Sequence, residues 1–144
     1  MLTYGNFVLN INDSTMNKLI FLLLLTIHFA SCQNNESSKQ GGTISELLEP
    51  KEFLAKLKSS NAGQLIDVRT PEEVNAGAIE GSTNIDFNAA EFKEKMAKLD
   101  KSKPVFVYCR AGGRSAKAAN VCKELGFKEI YDMQGGWDSY SAKK

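Results

Sequence analysis

The sequence of 144 residues has one histidine, three cysteines and three prolines, and it has no large excess of charge of either sign. Eighteen Lys and Arg residues stand against seventeen Asp and Glu residues, so the formal charge at pH 7 is +1. Proteins that bind nucleic acid carry a broad basic field, and this balance argues against that class. The length leaves room for about one domain, which argues against a two-domain enzyme.

The chain also lacks an apolar run long enough to span a bilayer, which takes about 20 residues. The run Leu19–Ala30 has twelve residues, with Lys18 before it and small residues after it. A positive residue, an apolar stretch and small residues in this order are typical of a secretory signal peptide. We therefore predict a signal peptide over residues 1–31. Met16 is the better translation start, because the residues before it include no basic side chain.

The end of this run, Phe29-Ala30-Ser31-Cys32, resembles the lipobox of bacterial lipoproteins, in which the cysteine is lipidated and becomes the first mature residue. The alternative is ordinary secretory cleavage, with Cys32 as an incidental residue. Residues 33–42 are rich in Asn, Ser, Gln and Gly, a composition typical of a flexible tether. We predict that the lipidated cysteine and tether, residues 32–42, hold a compact domain, residues 43–144, at a bacterial membrane. The domain would face the periplasm or the cell exterior.

The single histidine, His28, lies inside the predicted signal peptide. Its removal would leave no histidine to pair with a cysteine or to bind a metal, so we expect no metal and no cofactor. A reactive cysteine in this protein would then depend on electrostatic activation of its thiol.

From residue 43 onward, short strand-like apolar runs alternate with stripes of helical spacing. This alternation predicts an α/β domain with a largely parallel sheet and helices on both faces. One run has no polar alternation, Val105–Tyr108, which favours a central strand buried on both faces. The other predicted strands are Ile44–Leu48, Leu65–Val68, Thr83–Asp86 and Lys128–Met133. The predicted helices begin at Pro50 and, after the cap Thr70, at Pro71, and then cover Ala89–Leu99, Ser115–Leu125 and Trp137–Tyr140.

The predicted central strand runs directly into Cys109-Arg110-Ala111-Gly112-Gly113-Arg114-Ser115, and a helix is predicted to follow. Ligands of open parallel sheets bind beyond the carboxyl ends of the strands, where a helix N-terminus offers free N–H groups to an anion. Paired glycines let successive amides turn inward around such an anion.

These amides, the helix dipole and the two arginines would all favour the thiolate of Cys109 over its thiol. We therefore predict an exposed, reactive thiol with a local concentration of positive charge around it. The alternative is an ordinary glycine-rich turn with a buried cysteine.

Together with this loop, two further segments resemble the rhodanese-homology sulfurtransferases, and the resemblance covers residues 43–144. Residues 65–73, Leu-Ile-Asp-Val-Arg-Thr-Pro-Glu-Glu, match the family's first signature. Gly126-Phe127 and Gly135-Gly136-Trp137 match its closing pattern. The resemblance implies a five-stranded parallel sheet flanked by helices on both faces.

The resemblance also implies a reaction. Cys109 would accept a sulfane sulfur from a donor such as thiosulfate, hold it as a persulfide, and pass it to cyanide or a thiol. Arg114 would bind the donor anion. The persulfide would be cradled by the backbone of Arg110, Ala111, Gly112, Gly113, Arg114 and Ser115.

Other functions stay open on the same loop. Related phosphatases separate the cysteine and arginine by five residues, whereas four separate Cys109 from Arg114. This spacing is similar to the tighter loop of sulfur transfer and makes phosphatase or arsenate reductase chemistry less favoured. A sulfur relay or binding module that acts with a partner protein is the other alternative. Residues 77–82, Gly-Ala-Ile-Glu-Gly-Ser, depart from the family's usual Gly-His-Ile-Pro-Gly-Ala, which affects local packing and the rim more than catalysis.

Several other side chains have structural interpretations. Asp67 and Arg69 end a strand before a capped turn, and we expect them to form a supporting ion-pair or hydrogen-bond network rather than to act on the substrate. Cys122 lies on the apolar face of its predicted helix, which favours core packing over a redox role with the loop cysteine. Trp137 and Tyr140 fit the core packing of the closing helix, with a place at the substrate opening as the alternative.

Overall fold

The computed structural model describes residues 42–60 and 62–142. The predicted signal peptide, the predicted translation start Met16 and the predicted lipidation site Cys32 lie outside these residues, as does His28. Within the described part, no helix has the length and apolar character needed to cross a membrane.

One sheet of five parallel strands forms the centre of the domain. The strands are β1 (Ile44–Leu48), β2 (Gln64–Asp67), β3 (Thr83–Asn84), β4 (Val105–Tyr108) and β5 (Glu129–Met133). Their order across the sheet is β1-β5-β4-β2-β3, and every neighbouring pair is parallel. The predicted α/β class with a five-stranded parallel sheet is therefore confirmed. Because β4 lies in the middle, the chain that leaves its carboxyl end begins at the centre of the sheet.

In the part of the chain that the structure describes, five helices connect and cover the strands: α1 (Pro50–Ser59), α2 (Pro71–Asn75), α3 (Phe92–Ala97), α4 (Gly113–Glu124) and α5 (Gly136–Ser141). Each predicted element is present, but several boundaries differ from the prediction. β2 is displaced by one residue, β3 is only two residues long, and β5 begins one residue late. α3 is shorter than predicted at both ends, where the chain forms turns: the Phe92 N–H donates to the Ala89 carbonyl oxygen, and the Leu99 N–H donates to the Met96 carbonyl oxygen. α4 begins at Gly113, two residues before the predicted start at Ser115, and Gly112 is its N-cap residue.

The β4 strand is buried on both faces, as its apolar sequence predicts. Val105 and Val107 pack in a cluster with α3 and α4, whereas Phe106 and Tyr108 pack in a second cluster with α1 and α5. Full burial of one such aromatic side chain contributes roughly 1.5–3 kcal/mol to stability. Since side chains alternate along a strand, Cys109 continues the first set and packs on the α4 side.

Candidate active site

The loop after β4 brings the chain from the centre of the sheet to the start of α4. Its last residue, Gly112, has φ 98°, a conformation that residues with a side chain rarely adopt. The Gly112 N–H donates to Cys109 Sγ at 3.1 Å. Ser115 Oγ donates to the Gly112 carbonyl oxygen at 3.0 Å and so ties the first turn of α4 to the loop. The glycine turn therefore aims a backbone amide at the sulfur.

Cys109 is only 2% exposed. Burial raises the pKa of the thiol, but hydrogen bonds from the backbone and hydroxyl of Ser115 and from the amides of Gly112 and Ala111 outweigh burial, and the pKa is lowered from its ordinary value. The direction is the one that the sequence predicts. The expected exposure of Cys109 is wrong, because the residue is part of the buried core cluster on the α4 side of the sheet.

The start of α5 holds the loop from its other side. The N–H groups of Trp137 and Asp138 donate to the carbonyl oxygens of Cys109 and Arg110, at 2.8 and 3.0 Å. Gly136 has φ 57° and lies so close that a Cβ atom there would overlap with the Cys109 carbonyl oxygen. The paired glycines of the closing pattern thus allow α5 to approach the loop backbone.

Arg114, which the family resemblance assigns to the donor anion, is bound to Glu73. Its Nη1 lies 2.7 Å from Glu73 Oε2, and its Nη2 lies 2.8 Å from Glu73 Oε1. Hydrogen bonding to Arg114 is the largest effect on Glu73 and, against the opposing effect of burial, lowers the pKa of this carboxyl group to about 2. The Glu73 carboxylate therefore stays ionised and forms an ion pair with the Arg114 guanidinium group.

The second arginine of the loop, Arg110, also has a carboxylate partner. Its Nε lies 3.5 Å from Asp138 Oδ2, and both side chains are more than half exposed. We predicted a local concentration of positive charge around Cys109. The two arginines are present, but Glu73 and Asp138 offset their charge, so the prediction is wrong for the net charge of the loop.

Asp67 and Arg69 meet in a buried ion pair at the end of β2. Arg69 Nη2 lies 2.6 Å from Asp67 Oδ2, with the two side chains 2% and 0% exposed. Arg69 also donates to the carbonyl oxygens of Glu73 and Gly77, at 3.2 and 2.7 Å. These contacts join the end of β2 to the middle of α2 and to the turn that follows this helix. A supporting role for Asp67 and Arg69 stays our interpretation.

The guanidinium group of Arg69 also lies over the Trp137 ring, 4.6 Å from its centroid. Trp137 packs beside Tyr140 in the core cluster of α1 and α5. It also lines a cleft of about 230 Å³ next to the loop. Its core packing is confirmed, and a place at the substrate opening stays a prediction. The other residues that line this cleft are Arg69, Glu73, Ala76, Arg110 and Asp138.

Residues 77–82, where the sequence departs from the family pattern, pack against the end of β4. The Ile79 N–H donates to Tyr108 Oη at 3.1 Å, and Tyr108 Oη donates to Ser82 Oγ at 3.1 Å. This segment therefore supports the strand that carries Cys109.

The other described cysteine, Cys122, is fully buried in the core, as predicted. Burial raises the pKa of its thiol to about 12, so this thiol stays protonated and is a poor nucleophile. Cys109 and Cys122 are both free of disulfide bonds. Within residues 42–60 and 62–142, no group of three or more His, Cys, Asp or Glu side chains is placed to hold a metal ion.

Three acids at the loop were not identified from the sequence: Glu73 as a partner of Arg114, Asp138 as a partner of Arg110, and Asp132. Asp132 lies on β5, is 6% exposed, and lines a cavity of about 470 Å³ beside the loop. A lone acid in the otherwise apolar run from residue 130 to 133 was the available signal for Asp132.

The match to a protein-family model covers most of the described chain. Residues 49–143 match the Rhodanese-like domain. Among solved structures, the crystal structure of a rhodanese-related protein from Thermoplasma volcanium has a TM-score of 0.60 and 32% sequence identity, covering 68% of this chain and 92% of that chain.

Curated relatives carry several names. The chain is 40% identical over 90 residues to "Putative thiosulfate sulfurtransferase, mitochondrial" of Schizosaccharomyces pombe, covering 55% of this chain and 63% of that protein. It is 27% identical over 116 residues to "Putative sulfur carrier protein YrkF" of Bacillus subtilis, covering 81% and 61%. It is 35% identical over 100 residues to the tRNA uridine(34) hydroxylase of Cytophaga hutchinsonii, covering 67% and 32%. The chain spans less than two thirds of each of these three relatives, whose names describe different activities.

Proposed function

Because the chain belongs to the rhodanese-like domain family, we propose that it is a sulfurtransferase that acts through Cys109. It takes a sulfane sulfur from a donor such as thiosulfate, holds it as a persulfide, and gives it to cyanide or a thiol. The observation that carries this proposal is the hydrogen bonding of the Cys109 sulfur, whose thiolate is favoured by donors from Ala111, Gly112 and Ser115.

The reaction has two displacement steps at sulfur. In the first, the Cys109 thiolate attacks the outer sulfur of thiosulfate, the S–S bond of thiosulfate breaks, and sulfite leaves with the bonding electron pair. In the second, cyanide or a thiolate attacks the outer sulfur of the persulfide, and the Cys109 sulfur leaves as a thiolate. The donors that favour the starting thiolate also stabilise it as the leaving group.

Steady-state kinetics with thiosulfate and cyanide test this proposal. We expect sulfite and thiocyanate as products and the parallel-line pattern of a double displacement. Cys109→Ser should reduce the rate to the uncatalysed background. Cys122→Ala is the matched control, because its thiol is buried and protonated, and it should keep the native kcat. An unchanged rate in Cys109→Ser, or no product with thiosulfate, thiosulfonate or persulfide donors, would contradict the proposal.

A second candidate is a sulfur relay to a partner protein, which the similarity to a protein named as a sulfur carrier supports. Single-turnover measurements separate the two candidates. Rapid persulfide formation followed by slow release to cyanide and to every free thiol would favour the relay, and rapid release to them would exclude it.

We also propose that the protein is anchored by a lipid on Cys32 to a bacterial membrane and faces the periplasm or the cell exterior. The support is the sequence of residues 16–32. Metabolic labelling with a palmitate analogue in a bacterial host should label the native chain and its Cys122→Ala variant. Cys32→Ala should carry no label and should leave the membrane fraction. A native chain without label would contradict this proposal.

A further inference from the structure

A cavity between α4 and β1 lies beside the loop and has no role in the proposed sulfur transfer. Its volume is about 470 Å³, which is within the range of small-molecule sites. Helix α4 packs on β4 and β5, and it lines one side of the cavity with Ala116, Ala119 and Lys123, which recur at helical spacing along one face. The sheet lines the other side with residues of β1 and with Asp132 of β5.

Asp132 and Leu47 are neighbours on the sheet side of this cavity. They are paired in the parallel register of β5 and β1, so their side chains point to the same face of the sheet. Leu47 is 61% exposed, whereas Asp132 is only 6% exposed. An exposed leucine beside a buried acid reverses the usual distribution of these residue types. The cavity therefore offers an apolar surface and an acidic group side by side.

The charge of Asp132 has no cation to compensate it within the described part of the chain. No Lys or Arg side chain there forms an ion pair with it, and its Oδ1 atom has no hydrogen-bond partner. Burial is the largest effect on this carboxyl group and raises its pKa to about 6, so the group is still mostly ionised at neutral pH. A buried carboxylate without a cation is costly, and a bound cation would lower this cost.

The other charged groups that line the cavity are differently placed. Glu46 Oε2 lies 3.0 Å from Lys56 Nζ, so its charge is offset at the surface. Lys123 lies in the last turn of α4, about 15 Å along the helix from its start at the loop. Asp132 lies near the loop, because it pairs with Val107 of β4, two residues before the loop begins. The uncompensated acid and the lysine are thus at different ends of the cavity.

We propose that this cavity binds a small organic ammonium ion, whose charge lies against Asp132 and whose apolar body packs on Leu47 and on the alanines of α4. The small side chains of Ala116 and Ala119 leave space between the helix and the strand. Cys109 does not line the cavity. The site is therefore distinct from the reactive sulfur, and its occupation does not depend on sulfur transfer.

An NMR titration of the full chain with benzylammonium tests the proposal. We expect a dissociation constant on the order of 1 mM, with amide shifts at Leu47, Ala116 and Ala119. Benzyl alcohol, a neutral compound of similar size, should bind about ten-fold more weakly. The titration needs no sulfur donor, so it can be read even if the sulfurtransferase proposal fails. If benzylammonium shifts no cavity amide, or if the two compounds bind equally well, the proposal is overturned.

Two variants separate the buried acid from the general charge of the surface. Asp132→Asn and Glu46→Gln each remove one carboxylate of the same cavity and nearly keep the side-chain volume. Asp132→Asn should weaken the binding of benzylammonium about ten-fold and leave that of benzyl alcohol unchanged. Glu46→Gln should change neither affinity by more than about two-fold, because its carboxylate is exposed and already paired. Native affinity in Asp132→Asn, or equal losses in the two variants, would contradict the proposed position of the ammonium group.

The pH dependence of binding by the unaltered chain covers the case in which Asp132→Asn does not fold. Benzylammonium keeps its proton in the acid range, so the protein alone changes its charge. Protonation of Asp132, whose pKa is about 6, should weaken the binding of benzylammonium about five-fold between about pH 7.5 and about pH 5. Benzyl alcohol should bind equally at both pH values. An affinity for benzylammonium that does not fall in this range would overturn the proposal.

Discussion

At the scale of single residues, Glu73 determines the charge that a donor anion meets at the loop. It holds both terminal nitrogens of Arg114, so a sulfur-containing anion has to share or displace this carboxylate. Asp138 similarly offsets Arg110. We therefore expect thiosulfate to bind weakly. The weak binding of this dianion would arise from repulsion by the Glu73 carboxylate, since the loop does contain two arginines.

Replacing Glu73 with glutamine should strengthen binding of thiosulfate. Glutamine can still cap α2, but it leaves the charge of Arg114 uncompensated. We expect the KM for thiosulfate to fall about five-fold, which corresponds to about 1 kcal/mol, with kcat little changed. The matched control is Glu72→Gln, which removes a neighbouring acid without a contact to Arg114. An unchanged or higher KM in Glu73→Gln would show that Glu73 does not limit donor binding.

The same carboxylate makes stability depend on pH. Its pKa in the folded protein is about 2, lowered from an ordinary value of 4.5. Because this pKa is lowered, the ion pair of Glu73 with Arg114 stabilises the fold fully above pH 4.5. The stabilisation is lost as the pH falls toward 2. Urea unfolding at a series of pH values should show a stability difference between the native chain and Glu73→Gln that is constant near neutrality and shrinks in this acid range. A difference that does not vary with pH would contradict this origin.

The sequence predicts Cys109 and its loop because the cysteine, the glycines and the arginines are contiguous. It does not predict the pairing of Glu73 with Arg114, which are 41 positions apart and come together only through the order of the strands. The burial of Cys109 was also missed, because part of its cover comes from Gly136 and Trp137 at the end of the chain.

At the scale of secondary-structure elements, the close approach of α5 to the loop shapes the site. Two N–H groups of α5 donate to loop carbonyl oxygens, and Gly136 leaves room for this contact. The order and type of the elements were predictable from their apolar periodicity and from Pro50, Thr70 and Pro71. Their ends were less predictable, because turns such as the one before Phe92 depend on local backbone hydrogen bonds.

Replacing Gly136 with alanine should damage activity more than stability. The new Cβ atom would overlap with the carbonyl groups of Cys109 and Arg110 and push α5 from the loop. We expect kcat/KM to fall about ten-fold or more, because small displacements of reacting groups are costly. Gly81→Ala is the matched control, since Gly81 has φ 79° but open space for a Cβ atom. It shares the backbone strain, of roughly 1 kcal/mol, and should keep its activity. Equal activity in the two variants would contradict the role of the contact.

At the scale of the whole molecule, the central strand β4 contributes side chains to both core clusters, and the candidate active site follows its carboxyl end. The side chains of β4 pack into the clusters on both faces of the sheet, and its carboxyl end leads directly to Cys109. The site is therefore tied to the most buried part of the domain.

Truncation of Phe106 should show how strongly the fold depends on this strand. Its ring is fully buried and packs on Phe53 and Tyr131, with ring centroids 5.3 and 4.8 Å away. We expect Phe106→Ala to lower the free energy of unfolding by about 3–5 kcal/mol in urea titrations. Leu47→Ala is the control, because Leu47 on β1 is 61% exposed and should cost under about 1 kcal/mol. Similar losses in both variants would contradict the central position of β4 in stability.

The most direct test of the sulfurtransferase proposal is the mass of the full chain after treatment with thiosulfate and removal of excess donor. We predict an increase by one sulfur atom, located on the peptide that contains Cys109, and its loss when cyanide or a thiol is added. Cys122→Ala should take up the same sulfur, and Cys109→Ser should take up none. If thiosulfate, thiosulfonate and persulfide donors all leave the mass of Cys109 unchanged, the proposed function is wrong.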